Sequence, residues 1–317
     1  AVRRVVSRTM AGYPIGASHP FGLEPSFGGV THGLMFTDVL WELAGLTGDD
    51  RYLAYAAWLY RSFATSPVAI GDATAEALLD AGRGFDGHGV HTYEHWRPLT
   101  VAAVAAGAGE GTADGLPMHA LDAAYARKLE TALTPSGAPN GDEACHARGA
   151  ADDTGYEHCS VQELLHGYGM RVEATGDVAL GDRMESLVFN VAMGSRDPLD
   201  GGVAYLKTDN SRSMTGPEGF RPSTGNAPQT RYLYSPLHRE AAVCCVPNAG
   251  RVLPTYARYA WLRGEAKGGP LVLALLFGAL VLRTEVAGVS VTITEETAWP
   301  GETAIRLTVE AGSPVEF

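Results

Sequence analysis

The sequence predicts a mainly α chain, with repeated αα-hairpins building a toroid or helical solenoid, followed by the start of an all-β module. Three observations predict it. A helix–Thr-Gly-Asp–helix pattern occurs at Thr47-Gly48-Asp49 and again at Thr175-Gly176-Asp177. Long Gly-rich stretches separate the hairpins, as expected where repeated units stack and loops carry function. After Trp261 the texture turns to alternating β-branched segments broken by Gly288 and Pro300-Gly301.

Taken in order, residues 1–30 are rich in Gly, Pro and Ser and read as irregular structure. From Thr31, Leu34, Val39, Leu40, Leu43 and Leu46 recur near a 3.6-residue period, and Tyr52, Leu53, Ala56, Trp58, Leu59 and Phe63 resume it after the Gly48 turn. A weaker copy runs from Trp96 through Gly107-Ala108-Gly109 to Ala120–Leu133. The third pairs a helix over 161–174 with one over 179–193, whose stripe is Leu180, Met184, Leu187, Val188 and Val191. The stretches 134–155 and 194–241 are too long to be plain connectors and hold most of the unusual residues. Residues 271–281, 289–294 and 303–309 read as strands, too few for a closed sandwich. The chain is therefore expected to be a fragment or to carry a minimal β appendage.

Composition sets the class. With 317 residues, 45% hydrophobic and 19% charged, the chain has enough material for a sizeable core. A net charge of -12 argues against nucleic acid or an anionic membrane as partner. Lysine occurs only at Lys128, Lys207 and Lys267, which reads as a bias of composition and not as function. The apolar run 271–282 is too short to span a bilayer, and 4 cysteines make no disulfide scaffold. A reducing, cytoplasmic setting is expected for these thiols.

The chemistry gathers on Cys244-Cys245-Val246-Pro247-Asn248-Ala249-Gly250-Arg251. Adjacent cysteines reach disulfide geometry only with backbone strain, so a shared metal or a reactive thiol is the better explanation. Gly155-Tyr156-Glu157-His158-Cys159 adds a third thiol and a carboxylate, and Glu157, Cys159, Cys244 and Cys245 make a sulfur-rich set suited to tetrahedral zinc. Spacing alone leaves structural and catalytic metal equally open, with Cys145 and His146 as alternative ligands. Asp142-Glu143 lies in a Gly/Pro-rich loop 14 residues (157 − 143) before Glu157 and is either a general acid/base or a solvated loop acid. In His88-Gly89-Val90-His91-Thr92-Tyr93-Glu94-His95-Trp96-Arg97, His91 and His95 share a helix face, but Thr92 stands where a metalloprotease motif needs glutamate. The histidines, with Trp96 and Arg97, also suit hydrogen bonding and stacking on a sugar. No phosphate-cradling loop and no G-x-S-x-G elbow occurs.

The Cys244-Cys245-Val246-Pro247-Asn248…Arg251 motif, with Glu157-His158-Cys159 upstream, resembles the glycoside hydrolase family 127 / DUF1680 group of β-L-arabinofuranosidases, which bind zinc through C-C-x-P-N and E-x-C motifs. The Thr-Gly-Asp hairpins resemble its (α/α)6 barrel, and the sequence from Glu285 its first β-sandwich. The resemblance implies a barrel catalytic domain over residues 1–263 and an incomplete β-sandwich segment over 264–317. It implies zinc on Glu157, Cys159, Cys244 and Cys245, Cys244 as the nucleophile of a retaining hydrolase, and Glu143 as acid/base. His32, His88 or His91, Tyr205 and Tyr234 resemble residues that face the sugar. The implied partner is a small-molecule or oligosaccharide glycoside, with a homodimer as the expected assembly. A family-related hydrolase of another sugar, and a non-catalytic sugar-binding protein with structural zinc, are the rival expectations.

Overall fold

The computed structural model describes residues 1–17, 20–21, 32–66, 71–107, 115–145, 155–199, 201–210, 234–235, 244–266 and 269–316. Its helices are α1 (Val2–Gly12), α2 (Phe36–Thr47), α3 (Arg51–Ala64), α4 (Ala75–Leu79), α5 (Gly89–Glu94), α6 (Trp96–Ala106), α7 (Met118–Glu130), α8 (His158–Thr175), α9 (Leu180–Ser186) and α10 (Cys245–Tyr259). Beyond α9 the helix widens into a π segment, Leu187–Ala192.

The two Thr-Gly-Asp turns are built alike. Gly48 (φ 65°) and Gly176 (φ 71°) end α2 and α8 in the left-handed region, where a Cβ is disfavoured, and each N–H closes the helix onto Ala44 or Val172. Thr47 and Thr175 hydroxyls donate to carbonyls four residues back and accept from the amides of Asp49 and Asp177. α3 packs on α2 and α6, α6 on α7 and α8, and α8 on α5, α9 and α10. One apolar core joins them, with Leu40, Phe63, Leu99, Tyr125, Leu164 and Met184 fully buried.

Two readings need correction. Residues 2–12, expected as irregular, form α1, because Val6 and Met10 share one face one turn apart, with Val6 1% exposed in the main core. The Gly and Pro content that argued against a helix begins only at its last residue, Gly12. The run 271–281, expected as a buried strand pair at most, touches two strands that do not pair with each other: β6 (Gly269–Ala274), paired with β5 (Trp261–Ala266), and β7 (Val281–Val286), the first strand of a β7-β8-β9 sheet with β8 (Val289–Thr297) and β9 (Ile305–Ala311). The residues between them, Leu275 and Leu276, are the buried ones, and Leu271 and Val281 are exposed.

The strands are fastened to the helices. Leu275 N–H donates to Ala260 O, and Tyr256 OH donates to Phe277 O. Trp261, Leu262 and Leu273 pack against the helical core. Among the described residues no helix is long and apolar enough to cross a membrane.

Candidate active site and metal centre

Two helix N-termini converge at the site. Glu157 is the N-cap of α8 and Cys159 lies in its first turn. Cys244 is the N-cap of α10 and Cys245 its first helical residue. α8 and α10 pack along each other, so the positive ends of both helix dipoles face the same thiols and carboxylate. Short strands frame the cluster. β1 (Tyr156–Glu157) pairs with β3 (Leu206–Lys207), β2 (Val203–Ala204) pairs with β4 (Tyr234–Ser235), and His158 N–H donates to Tyr205 O.

The donor atoms of Glu157, Cys159, Cys244 and Cys245 lie within 4.8 Å of one another. Cys159 Sγ is 3.2 Å from Cys245 Sγ, Cys244 Sγ is 3.9 Å from Cys245 Sγ, and Glu157 Oε1 is 3.6 Å from Cys244 Sγ. A tetrahedral ion with metal–sulfur bonds of about 2.3 Å sets its sulfurs about 3.8 Å apart, so the set is close to that size and slightly contracted. All four cysteines are free thiols, and Glu157, Cys159 and Cys245 are buried while Cys244 is exposed. Glu157 Oε2 is buried without a hydrogen-bond partner, a costly state that a bound cation would relieve. The residues fit a metal.

Electrostatics separate the roles. The Cys159 and Cys245 thiols, aimed at Cys244, draw its pKa well down, and Tyr205 OH, 3.6 Å from the sulfur, acts in the same direction. Hydrogen bonding to Cys244 and then to Cys245, followed by burial, raises Cys159. Burial pushes Glu157 up to about 8, and the Cys244 charge adds to the rise. The lowered thiol is the exposed member of the set.

Glu143 sits opposite, held by its backbone. Its φ of 84° is uncommon outside glycine and asparagine, and strain of this kind clusters at functional sites. The strain is held by a bridge between Asp142 and Ala144 and by the Glu143 carbonyl, which accepts from Gly89 N–H at 2.8 Å. Its Oε2 lies 3.6 Å from His88 Nε2, and His88, Glu143 and Glu157 offer donor atoms within 4.8 Å of one another. The structure thus brings Glu143 beside the sulfur cluster.

The other expected residues divide. His32 Nε2 and His91 Nε2 are 3.2 Å apart, and the His91 ring is 4.6 Å from that of His88, so the three histidines form one group. Tyr205 faces Cys244. The Tyr234 backbone pairs with Ala204, next to Tyr205, and its side chain lies outside the described residues. His146 lies outside them too. Cys145 is 4% exposed, 3.7 Å from Tyr93 OH, and raised to about 12 by burial, so it stands outside the cluster.

Trp96 and Arg97, expected to suit stacking on a sugar, are buried in contacts within the protein. Trp96 stacks on Tyr125 and donates to Asp122. Arg97, 2% exposed, pairs with Asp38 and Glu163. Sequence reasoning missed this network. Glu163 also accepts from Arg251 Nη1 at 2.7 Å, and Arg251 donates to Asn248, so the last residues of the cysteine motif lock α10 onto α8 and α6. The signal was the motif itself, since Asn248 and Arg251 are three apart and share a helix face.

No family model matches the sequence, and no curated protein matches it. Solved structures match its fold. A glycoside hydrolase family 127 β-L-arabinofuranosidase from Geobacillus stearothermophilus T6 aligns with a TM-score of 0.64 at 19% identity, covering 87% of this chain and 45% of its own. A second family 127 β-arabinofuranosidase aligns at 0.56 and 16%, covering 86% and 39%. A protein described as a glycoside hydrolase aligns at 0.64 and 18%, covering 91% and 48%. The chain has a family-127-like fold and spans less than half the length of these structures.

Proposed function

We propose that the chain is the catalytic part of a retaining glycoside hydrolase of the β-L-arabinofuranosidase type. The observation that carries this reading is the exposed Cys244 thiol at a helix N-terminus, inside a Glu-Cys-Cys-Cys cluster whose Glu157 lies within 4.8 Å of Glu143. Glu157, Cys159, Cys244 and Cys245 would hold zinc, which would keep the Cys244 sulfur deprotonated at neutral pH. The repeated hairpins would close into an (α/α)6 barrel over residues 1–263, and residues 264–317 would begin a β-sandwich. The free thiols support a reducing, cytoplasmic setting.

Cys244 Sγ attacks the anomeric carbon as the glycosidic C–O bond breaks, and Glu143 gives its proton to the departing oxygen. Glu143, now a carboxylate, takes a proton from water, the water oxygen attacks the same carbon, and the C–S bond breaks to return the thiolate. Two displacements give net retention. Tyr205 OH, 3.6 Å from the sulfur, accepts from the Cys244 thiol and positions it, and would donate in turn once that sulfur is a thiolate. His32, His88, His91 and Tyr234 would contact sugar hydroxyls.

The test is hydrolysis of aryl furanosides followed by NMR of the first-formed anomer. Retention is expected, with Cys244→Ser and Glu143→Gln each losing on the order of 10³-fold or more in kcat/KM. Full hydrolysis by both variants would reject the mechanism. Intact ligand affinity in a wild type without turnover would favour a sugar-binding protein.

A further inference from the structure

Next to the sulfur cluster, and sharing no ligand with it, stands a second donor set. We propose that His32, His91 and Glu94 form a cation site of their own, for a divalent transition metal bound by two imidazoles and one carboxylate. The donor atoms of the three lie within 4.8 Å of one another. The 3.2 Å between His32 Nε2 and His91 Nε2 matches the spacing of two nitrogens on one ion, about 3.0–3.4 Å for bonds near 2.1 Å.

Glu94 is the independent observation. It is 5% exposed, and its Oε1 is buried with no hydrogen-bond partner. His32 Nδ1 at 3.6 Å and His95 Nε2 at 3.7 Å flank that oxygen without reaching it. A hydrogen bond between the two histidines alone would leave this buried carboxylate oxygen unsatisfied, whereas a cation would engage all three side chains.

Glu94 raises His32, so a bound cation would take the place of the His32 proton between them. Glu94 is fixed on α5 beside Arg97, which anchors that end of the helix to Asp38 and Glu163. The His32 side chain is 63% exposed, so the set opens outward with coordination positions left for water or paired sugar hydroxyls. Two histidines and a carboxylate with open positions select Fe(II), Mn(II), Co(II) or Zn(II) over calcium.

The proposal is independent of the hydrolase reading, because occupancy is read without turnover. The full chain, stripped with a chelator and dialysed, is titrated with Co(II) while absorption and bound metal are followed. The first equivalent should bring intense near-ultraviolet sulfur-to-cobalt charge transfer. A second should add only weak visible bands. His32→Ala, at an exposed side chain, and the isosteric Glu94→Gln should each weaken the second equivalent at least tenfold and leave the charge-transfer band unchanged. Saturation of the wild type at one sulfur-bound equivalent would overturn the site, as would a second equivalent unaltered in both variants. Loss of the charge-transfer band with the weak bands retained would count against the sulfur cluster and support this site.

Discussion

Cys244 and Cys245 are neighbours in sequence and opposites in environment. The helix start turns Cys245 into the core beside Cys159 and leaves Cys244 at the surface, lowered by the thiols that point at it. The sequence made the four-donor set legible because two short motifs carried all four residues. It could not say which cysteine was exposed, since that depends on where α10 begins. Histidines add a pH dependence of stability. Burial lowers His91 and His158 to about 4 and His166 to about 2, from an ordinary 6.5. Below pH 6.5 the unfolded chain therefore holds protons that these residues refuse in the fold. Their contribution is complete above 6.5 and is lost as pH falls toward 4. At pH 5 each deeply buried histidine should cost about 1–2 kcal/mol, while His32, raised by Glu94, and Glu157, pushed up to about 8 by burial, act in the opposite sense. With metal bound, so that Glu157 stays ionised throughout, thermal melts from pH 7.5 to 5 should show a steady fall in Tm. A flat or rising profile would refute the assignment.

At the scale of elements, the site depends on how closely α8 and α10 approach. Gly169 sets that distance: a Cβ there would lie 2.2 Å from the Tyr259 ring. Gly169→Ala should destabilise by about 1–3 kcal/mol through overpacking and weaken metal binding, because it prises apart the C-terminal parts of two helices whose N-termini carry the ligands. Equilibrium unfolding and a metal titration check this, and an unchanged variant would show that the helices are free to separate. The hairpins were legible because apolar periodicity and the Thr-Gly-Asp turn agree. α1 was not, because its two packing residues lie among arginines and before a Gly- and Pro-rich stretch. Sequence did point to Glu143 by its loop, but its positive φ comes from a long-range bond to Gly89 that no local pattern records.

Across the whole molecule, one core holds the helices together with Trp261, Leu273, Leu275 and Leu276, while Val286, Val291 and Ile293 of the β7-β8-β9 sheet form a cluster of their own against Trp261 and Val272. The alternation of the strands was readable, but their fastening to α10 and the buried connector between β6 and β7 were not, since both depend on tertiary packing. A metal that binds only the folded chain stabilises all of it. Chelation at neutral pH should therefore lower Tm by on the order of 5 °C or more, the effect of about 2.7 kcal/mol when free metal stands near 100 times its dissociation constant. An unchanged Tm after verified metal removal would show that the cluster does not support the fold. The proposed mechanism turns on a covalent intermediate at Cys244. Glu143→Gln should still be glycosylated by an aryl furanoside with an activated leaving group, and should then stall for want of a base. Quenched digests should carry one glycosyl mass on the Cys244 peptide. The same mass on a carboxylate peptide, or turnover with no adduct in a Cys244→Ser background, would contradict the account.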